Sequence, residues 1–320
     1  MIAGIEKLMR YDTAGDPITG LKWTRKTTEK IAEELESIGI AVSPNTVGKL
    51  LKKLGFSLRV NQKKTALGGK RRSRTEQQQR DEQFKYISAL RENYARSGHP
   101  SISVDTKKKE LIGNFKNHGV AYRREPRLVN DHDFPSYATG KGVPYGVYDT
   151  QRNTGMVLVG MTFDTADFAV ECIEKWWRKE GQKQYSQSKS ILILADGGGS
   201  NGPRSRRWKL GIQRNLCDRY GLEVTVTHYP PGTSKWNPIE HRLFGEISKN
   251  WSGTPIDSYE TMLKFIRTTK TKTGLKVKAY LVRKNYKKGV KVPDEQMAQI
   301  KLTRHATFPD WNYTIRPAEM

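Results

Sequence analysis

Cysteine is scarce in this chain, which has only Cys172 and Cys217 among its 320 residues. Neither belongs to a CxxC pair, so a disulfide framework and a cysteine-based zinc site are both excluded. Long apolar runs are also missing, because none approaches the roughly 20 residues that a membrane-spanning helix needs. The first residues, MIAGIEKLMRYD, lack the apolar centre of a signal peptide. We therefore expect a protein of the reducing cytoplasm with no membrane partner.

Acidic residues are outnumbered by basic ones, 33 to 57, which leaves a net charge of +24. The excess is +9 over residues 1–100, +6 over residues 101–257 and +9 over residues 258–320. A basic chain of this size is best matched to a polyanion, of which nucleic acid is the commonest. The length also allows two or three domains and one sizeable core.

Two short helical patterns predict a small all-α domain in residues 1–58. Apolar residues recur at helical spacing between Thr27 and Gly39, and a second such pattern follows Ser43 and Pro44. Two helices joined by about four residues have the form of a helix-turn-helix, whose second helix enters the DNA major groove. An ordinary helical hairpin has the same spacing. The exposed side of the second helix offers five candidate DNA contacts: Asn45, Thr46, Lys49, Lys52 and Lys53.

Residues 59–80 are basic and polar, which is typical of a solvated linker. A flexible basic tether can also contact phosphates without reading a base sequence, and its candidates are Arg71, Arg72 and Arg74. At the other end of the chain, residues 258–320 carry a helical pattern followed by basic, strand-like runs. We expect that segment to be a basic extension packed on the domain before it.

Residues 81–257 alternate between helix and strand patterns. After an opening helix, one strand ends at Asp105, a hairpin spans residues 145–164, and apolar strands cover residues 191–194 and 223–229. Helical patterns separate the later strands. This order predicts an α/β fold, a mixed sheet flanked by helices, and sheets of this kind bind ligands beyond their strand ends.

Three carboxylates occupy positions that suit metal chemistry. Asp105 ends a half-buried strand, and Asp196 lies just past a buried strand at a glycine-rich turn. Glu240 comes early in a helix that Asn237 would cap and Pro238 would begin. Each acid alone is better explained by turn geometry or by the helix dipole. Together they match what two-metal phosphoryl transfer needs, because hard divalent ions prefer oxygen ligands.

The motifs around these carboxylates resemble those of a known family. ADGGGSNG around Asp196, and WNPIE ending at Glu240, are similar to DDE transposases of bacterial insertion sequences, particularly the branch related to mariner-type elements. The resemblance covers roughly residues 21–317. It implies an RNase H-like catalytic core in which Asp105, Asp196 and Glu240 hold two divalent ions, Mg²⁺ or Mn²⁺. It also implies that the helix-turn-helix recognises the element's terminal inverted repeats, although the short leader before it would make this DNA-binding part a truncated one.

The implied reaction is the cutting and joining of DNA at the ends of an insertion sequence. The implied partners are double-stranded terminal inverted repeats and target DNA, bound by a homodimer or higher oligomer in the bacterial cytoplasm, at the nucleoid. Five cations near the acids in sequence are candidate phosphate contacts: Lys107, Lys109, Arg206, Lys235 and Arg242. Two other functions stay open, a hydrolytic nuclease with the same core and a non-catalytic DNA-binding protein such as a decayed transposase or a repressor.

Overall fold

The computed structural model describes residues 13–15, 22–24, 27–54, 74–121 and 124–318. The chain divides into two compact units, Met1–Ala66 and Leu67–Met320. Among the described helices, none combines the length and the apolar character that crossing a membrane requires.

The first unit contains strands as well as helices, so the prediction that residues 1–58 form an all-α domain was wrong in this respect. Its described elements are β1 (Thr13–Gly15), β2 (Lys22–Thr24), α1 (Thr28–Ser37) and α2 (Pro44–Lys53). The two strands pair antiparallel. The side chains of Thr27 and Ser43 cap the two helices by accepting backbone N–H groups of the first turn. Ile31, Leu35 and Val47 are buried between the helices, so the two apolar stripes of the sequence form one small core.

Nine strands of the second unit, counted over its described residues, form one mixed sheet. In chain order they are β3 (Ser101–Thr106), β4 (Glu110–Ile112), β5 (Gly140–Asp149), β6 (Thr154–Gly160), β7 (Ser190–Ala195), β8 (Glu223–His228), β9 (Lys276–Val282), β10 (Leu302–Arg304) and β11 (Asn312–Ile315). Their order across the sheet is β10-β11-β8-β7-β3-β5-β6-β9, and β4 pairs with β5 outside this row.

The five central strands define the topology. β5 runs antiparallel to both of its neighbours, β3 and β6, whereas β7 lies parallel to β3 and β8 lies parallel to β7. Numbered along the chain, these strands stand in the order third, second, first, fourth, fifth, and only the second is reversed. This is the arrangement of an RNase H-like sheet, which confirms the fold class predicted from the sequence.

Helices cover both faces of this sheet. They are α3 (Arg74–Arg96), α4 (Ala166–Trp176), α5 (Arg206–Ile212), α6 (Gly245–Asn250), α7 (Tyr259–Arg267) and α8 (Asp294–Ala298). α4 and α5 pack on one face in a cluster that includes Trp208 and Ile193 of β7. On the opposite face, Ile87 of α3 packs with Leu194 of β7, and Met262 of α7 belongs to a neighbouring cluster. Helices on both faces explain why β7 is apolar at consecutive positions.

Residues 258–318 contribute strands to the sheet itself. β9 pairs in parallel with β6, and β11 pairs antiparallel with β8 and carries β10 on its other side. In β9, Lys276 and Lys278 are exposed while Val277 and Ala279 are buried, which accounts for the basic alternation seen in the sequence. The sequence predicted only an extension packed on the core. The pattern of a single strand does not reveal which strand it pairs with, so the pairing with the sheet was not predicted. Similarly, α3 begins at Arg74, inside the segment expected to be a linker.

Candidate active site

Asp105 and Asp196 lie at the same edge of the sheet because of the register between two parallel strands. The β3–β7 ladder pairs Ser101 with Leu192 and Ser103 with Leu194. The same offset aligns Asp105, near the end of β3, with Asp196, the residue after β7. The carboxyl ends of parallel strands meet at one edge, so both side chains reach a common site.

Glu240 lies in the first turn of a helical segment that begins at Pro238, as the sequence predicted, and the loop before this segment is attached to β3. The Ser103 hydroxyl donates to Oδ1 of Asn237 at 2.5 Å and accepts from the backbone N–H of Ile239 at 3.0 Å. Nδ2 of Asn237 also donates to the carbonyl of Val104 at 3.3 Å. The sequence predicted that the Asn237 side chain caps the following helix. That prediction was wrong, because the side chain binds β3 instead and the Glu240 amide donates to the Asn237 carbonyl.

The three acids form what we call the carboxylate site: Asp105, Asp196 and Glu240. Burial, the charges of Asp196 and Glu240, and a hydrogen bond with Glu240 together raise the pKa of Asp105 to about 8. Burial also raises the pKa of Asp196, with smaller contributions from Glu240 and Asp164. Like charges brought together in a desolvated place favour the protonated form. The site therefore holds an excess of negative charge that a cation would neutralise.

The donor set fits a divalent cation by its chemistry. Carboxylate oxygens are the ligands that Mg²⁺ and related ions prefer. Among the described residues, however, no three His, Cys, Asp or Glu side chains are already arranged as a metal-binding group.

A fourth acid, Asp164, lies beside this site and was not predicted. It follows β6, and its Oδ1 accepts a hydrogen bond from the Thr106 hydroxyl at 3.1 Å, directly after Asp105. Its charge also contributes to the raised pKa of Asp196. The available signal was the position of Asp164, an acid between the end of an apolar strand run and a helical pattern.

Two buried polar side chains support the glycine-rich turn after Asp196. The Tyr145 hydroxyl donates to Oδ1 of Asn201 at 2.8 Å, and burial raises the pKa of Tyr145. Nδ1 of His228 contacts the carbonyl oxygen of Asp196 at 2.9 Å. Burial lowers the pKa of His228 to about 4, so this imidazole is neutral at pH 7 and positions the backbone of Asp196.

The predicted cations around the site fall into two groups. Lys109, Lys235 and Arg242 are exposed. Lys107 is 9% exposed, pairs with Glu110 at 3.2 Å, and its Nζ lies 4.5 Å from the ring centroid of Trp251. Arg206 pairs with Asp294 at 2.5 Å and also donates to the Val292 carbonyl. Lys109, Lys235 and Arg242 are open to a ligand, whereas Lys107 is buried and Arg206, although exposed, is paired with Asp294.

The predicted DNA contacts of the first unit are mostly exposed. Asn45, Lys49, Lys52 and Lys53 are exposed on α2, and Thr46 is half-buried because its hydroxyl pairs with that of Ser43 at 2.9 Å. Arg71 and Arg72 lie outside the described residues, as does the side chain of Arg74, the first residue of α3.

An RNase H-like sheet with acids clustered beyond its first and fourth strands is typical of enzymes that transfer phosphoryl groups in nucleic acids. The chain belongs to the DDE transposase family, since the family described as the Rhodopirellula transposase DDE domain matches residues 4–317. This confirms the family that the motifs around Asp196 and Glu240 indicated. The narrower assignment to insertion sequences and to a mariner-related branch stays a prediction.

Solved structures of the Mos1 transposase are similar to this chain. The paired-end complex with the left transposon end is 16% identical, covers 83% of this chain and 69% of that one, and has a TM-score of 0.45. The mariner paired end complex with Mn is 18% identical, covers 83% and 70%, and has a TM-score of 0.42. At these values the likeness does not extend to the roles of individual residues. No curated protein matches the chain.

Proposed function

We propose that this protein is a DNA transposase that cuts and joins phosphodiester bonds at the ends of an insertion sequence by two-metal-ion catalysis. The carboxylate site supports this proposal, because Asp105, Asp196 and Glu240 come from distant parts of the sequence, and the charge of Glu240 contributes to the raised pKa of both aspartates. Membership of the DDE transposase family supports it independently.

In this proposal Asp105, Asp196 and Glu240 hold two divalent ions, Mg²⁺ or Mn²⁺. Divalent ions held by these residues would lower the pKa of an attacking water and would neutralise charge on the phosphodiester. The residues of the chain supply position and rigidity. The backbone N–H of Thr106 donates to Oδ1 of Asp105 at 2.7 Å, and the N–H of Gly198 donates to Oδ1 of Asp196 at 3.4 Å. These hydrogen bonds leave the remaining carboxylate oxygens for the cations.

The proposed partner is double-stranded DNA, both the terminal inverted repeats and the target. In the first unit, α1 and α2 act as a helix-turn-helix whose exposed Asn45, Lys49, Lys52 and Lys53 contact the repeats. Near the carboxylate site, the exposed side chains of Lys109, Lys235 and Arg242 contact phosphates. The proposed assembly is a homodimer or higher oligomer on DNA at the bacterial nucleoid.

A strand-transfer assay tests this function. The purified chain is incubated with Mg²⁺ or Mn²⁺, a supercoiled plasmid, and a labelled duplex from the inverted repeats that bracket the gene. We expect label joined to the plasmid, and we expect Asp196→Asn to reduce joining on the order of a thousandfold. DNA binding by that variant should persist. Asp133→Asn, which changes an exposed acid in another loop, is the matched control.

The assay also separates the alternatives. Nicks without joined product would identify a hydrolytic nuclease. Binding to the inverted repeats with neither nicks nor joining would identify a non-catalytic DNA-binding protein. Activity of Asp196→Asn equal to that of the unsubstituted protein would refute the carboxylate site.

A further inference from the structure

Trp236 is an exposed aromatic residue on the loop that precedes the helical segment of Glu240. Its side chain is 58% exposed, which is unusual for a tryptophan in a chain that buries Trp208 and Trp176 almost completely. The indole packs edge-on against Phe84 of α3, with ring centroids 5.9 Å apart and an angle of 69° between the rings. Phe84 therefore supports the indole in one orientation while much of its surface stays open.

The backbone around Trp236 is well anchored. Trp236 ends a 3-10 turn (Ser234–Trp236), and its N–H donates to the carbonyl of Thr233 at 2.8 Å. Thr233 is buried and donates from its hydroxyl to the carbonyl of Pro230 at 2.5 Å. The next residue, Asn237, is bound to β3 immediately before Asp105. Trp236 is therefore fixed in position next to a residue that is attached to the strand of Asp105.

A cavity of about 510 Å³ adjoins the indole and is lined by Gln77, Arg80, Asp81, Phe84 and Trp236. Its polar side chains include donors and acceptors. Nε of Arg80 is buried and has no hydrogen-bond partner within the described part of the chain. We call Trp236 and this space the Trp236 cavity.

We propose that the Trp236 cavity holds an unpaired nucleobase of the DNA strand whose backbone lies at the carboxylate site. This inference rests on the proposed function. An open indole face is a stacking surface for any base. Arg80 and Gln77 can donate to a base edge, and the Asp81 carboxylate can accept from a ring N–H or an exocyclic amino group of the base. A phosphate fits less well, because Asp81 would repel it.

Lys235 adds a positive charge next to the Trp236 cavity. Its Nζ lies 5.6 Å from the ring centroid of Trp236, and the side chain is exposed. An ammonium group there can neutralise the phosphate of the same nucleotide while the base occupies the cavity. The base then acts as an anchor, and the cost of unstacking it is offset by the new stack on Trp236.

A comparison of base with abasic site tests the proposal. The probe is a fluorescein-labelled duplex with a single-stranded thymidine overhang, and its partner is the same duplex with an abasic overhang. Binding is measured by anisotropy with the full chain and no divalent cation, so failure of cutting or joining does not affect the result. We expect the chain to bind the thymidine probe on the order of tenfold more tightly than the abasic probe.

Substitutions then locate the effect. Trp236→Ala should remove the preference for the thymidine probe, and Trp236→Phe should keep part of it because the ring remains. Lys235→Met should weaken both probes equally, since it acts on the phosphate. Tyr137→Ala, which truncates another exposed aromatic residue, is the matched control and should retain the preference. Equal binding of both probes by the unsubstituted chain, or an undiminished preference in Trp236→Ala, would overturn the proposal.

Discussion

The aspartates and the glutamate of the carboxylate site reach one edge of the sheet by different means. Asp105 and Asp196 are placed by the ladder between β3 and β7, whose register is set by backbone hydrogen bonds and by buried side chains on both faces. Glu240 depends on the side chains of Asn237 and Ser103. A ladder of backbone hydrogen bonds persists when one side chain is substituted. The side-chain hydrogen bonds of Asn237 are lost when Asn237 is substituted. The position of Glu240 is therefore the sensitive part of the site.

Among substitutions outside the carboxylates themselves, the largest effect should come from Asn237→Ala. The substitution leaves the Val104 carbonyl and the Ser103 hydroxyl without their buried partner, which should lower the free energy of unfolding by about 2–4 kcal/mol. It also releases Glu240, and a displacement of about 1 Å can cost roughly a hundredfold in rate. Thermal unfolding and cleavage of an end duplex measure the two effects.

Asn312→Ala is the matched control for this prediction. Asn312 is equally buried, exchanges hydrogen bonds with Gln83 and accepts one from the Thr227 hydroxyl, but it does not hold Glu240. We expect a similar loss of stability with cleavage retained below the unfolding temperature. Equal losses of cleavage in the two variants would mean that Asn237 affects activity only through stability.

The next prediction concerns how stability depends on pH, because the strand register brings two acids together. The ordinary pKa of Asp105 is 3.8 and its folded value is about 8, so the folded state binds this proton more tightly than the unfolded state. The stability from this proton is fully present below about pH 4 and is lost as pH rises towards 8. In a metal chelator we expect a loss of roughly 2–4 kcal/mol between pH 4 and pH 8.

Denaturant unfolding at both pH values checks this prediction. Asp105→Asn removes the titrating group and should make the protein more stable than the unsubstituted chain at pH 8. Added Mg²⁺ should restore stability at pH 8 in the unsubstituted chain only. If the substituted and unsubstituted chains show the same pH dependence, the three carboxylates do not share a site.

The contrast between register and side-chain attachment also explains what the sequence could predict. The strands that place Asp105 and Asp196 are visible as apolar runs, and acids at their ends are local features of the sequence. The hydrogen bond between Asn237 and Ser103 joins residues far apart in the chain, and no periodic pattern in the sequence predicts it. Asn237 before Pro238 has the pattern of a helix cap, and the tertiary contact overrides that local preference.

The same reasoning applies to Asp164 and to the end of the chain. Asp164 joins the site through Thr106, a contact between β3 and the segment after β6 that depends on the order of strands in the sheet. β9 was recognisable as a strand, but its parallel pairing with β6 follows from the topology. Sequence patterns thus identified elements and two of the strand-end acids, while partners across the sheet came from the structure.

Asp164 should have a smaller effect than Asn237, because it touches the site through Thr106 and through its charge. We expect Asp164→Asn to lower the affinity for Mn²⁺ by about tenfold, since the amide still accepts from Thr106 but carries no charge. Thr106→Val loses only the hydrogen bond and should change the affinity by less than about threefold. Electron paramagnetic resonance of free Mn²⁺ gives both affinities. Equal losses in the two variants would assign Asp164 a purely structural role.

The smallest effect should come from His228→Asn, which tests whether strand register alone holds Asp196. The substitution removes the hydrogen bond between Nδ1 of His228 and the Asp196 carbonyl, at a cost of about 1–2 kcal/mol in unfolding free energy. Cleavage should stay within about threefold, because the β7 ladder still positions the residues before Asp196. His228 has a pKa of about 4 and is neutral above pH 6, so the pH profile of cleavage should not shift. A hundredfold loss of cleavage, equal to that expected for Asn237→Ala, would show that the position of Asp196, like that of Glu240, depends on a single side chain.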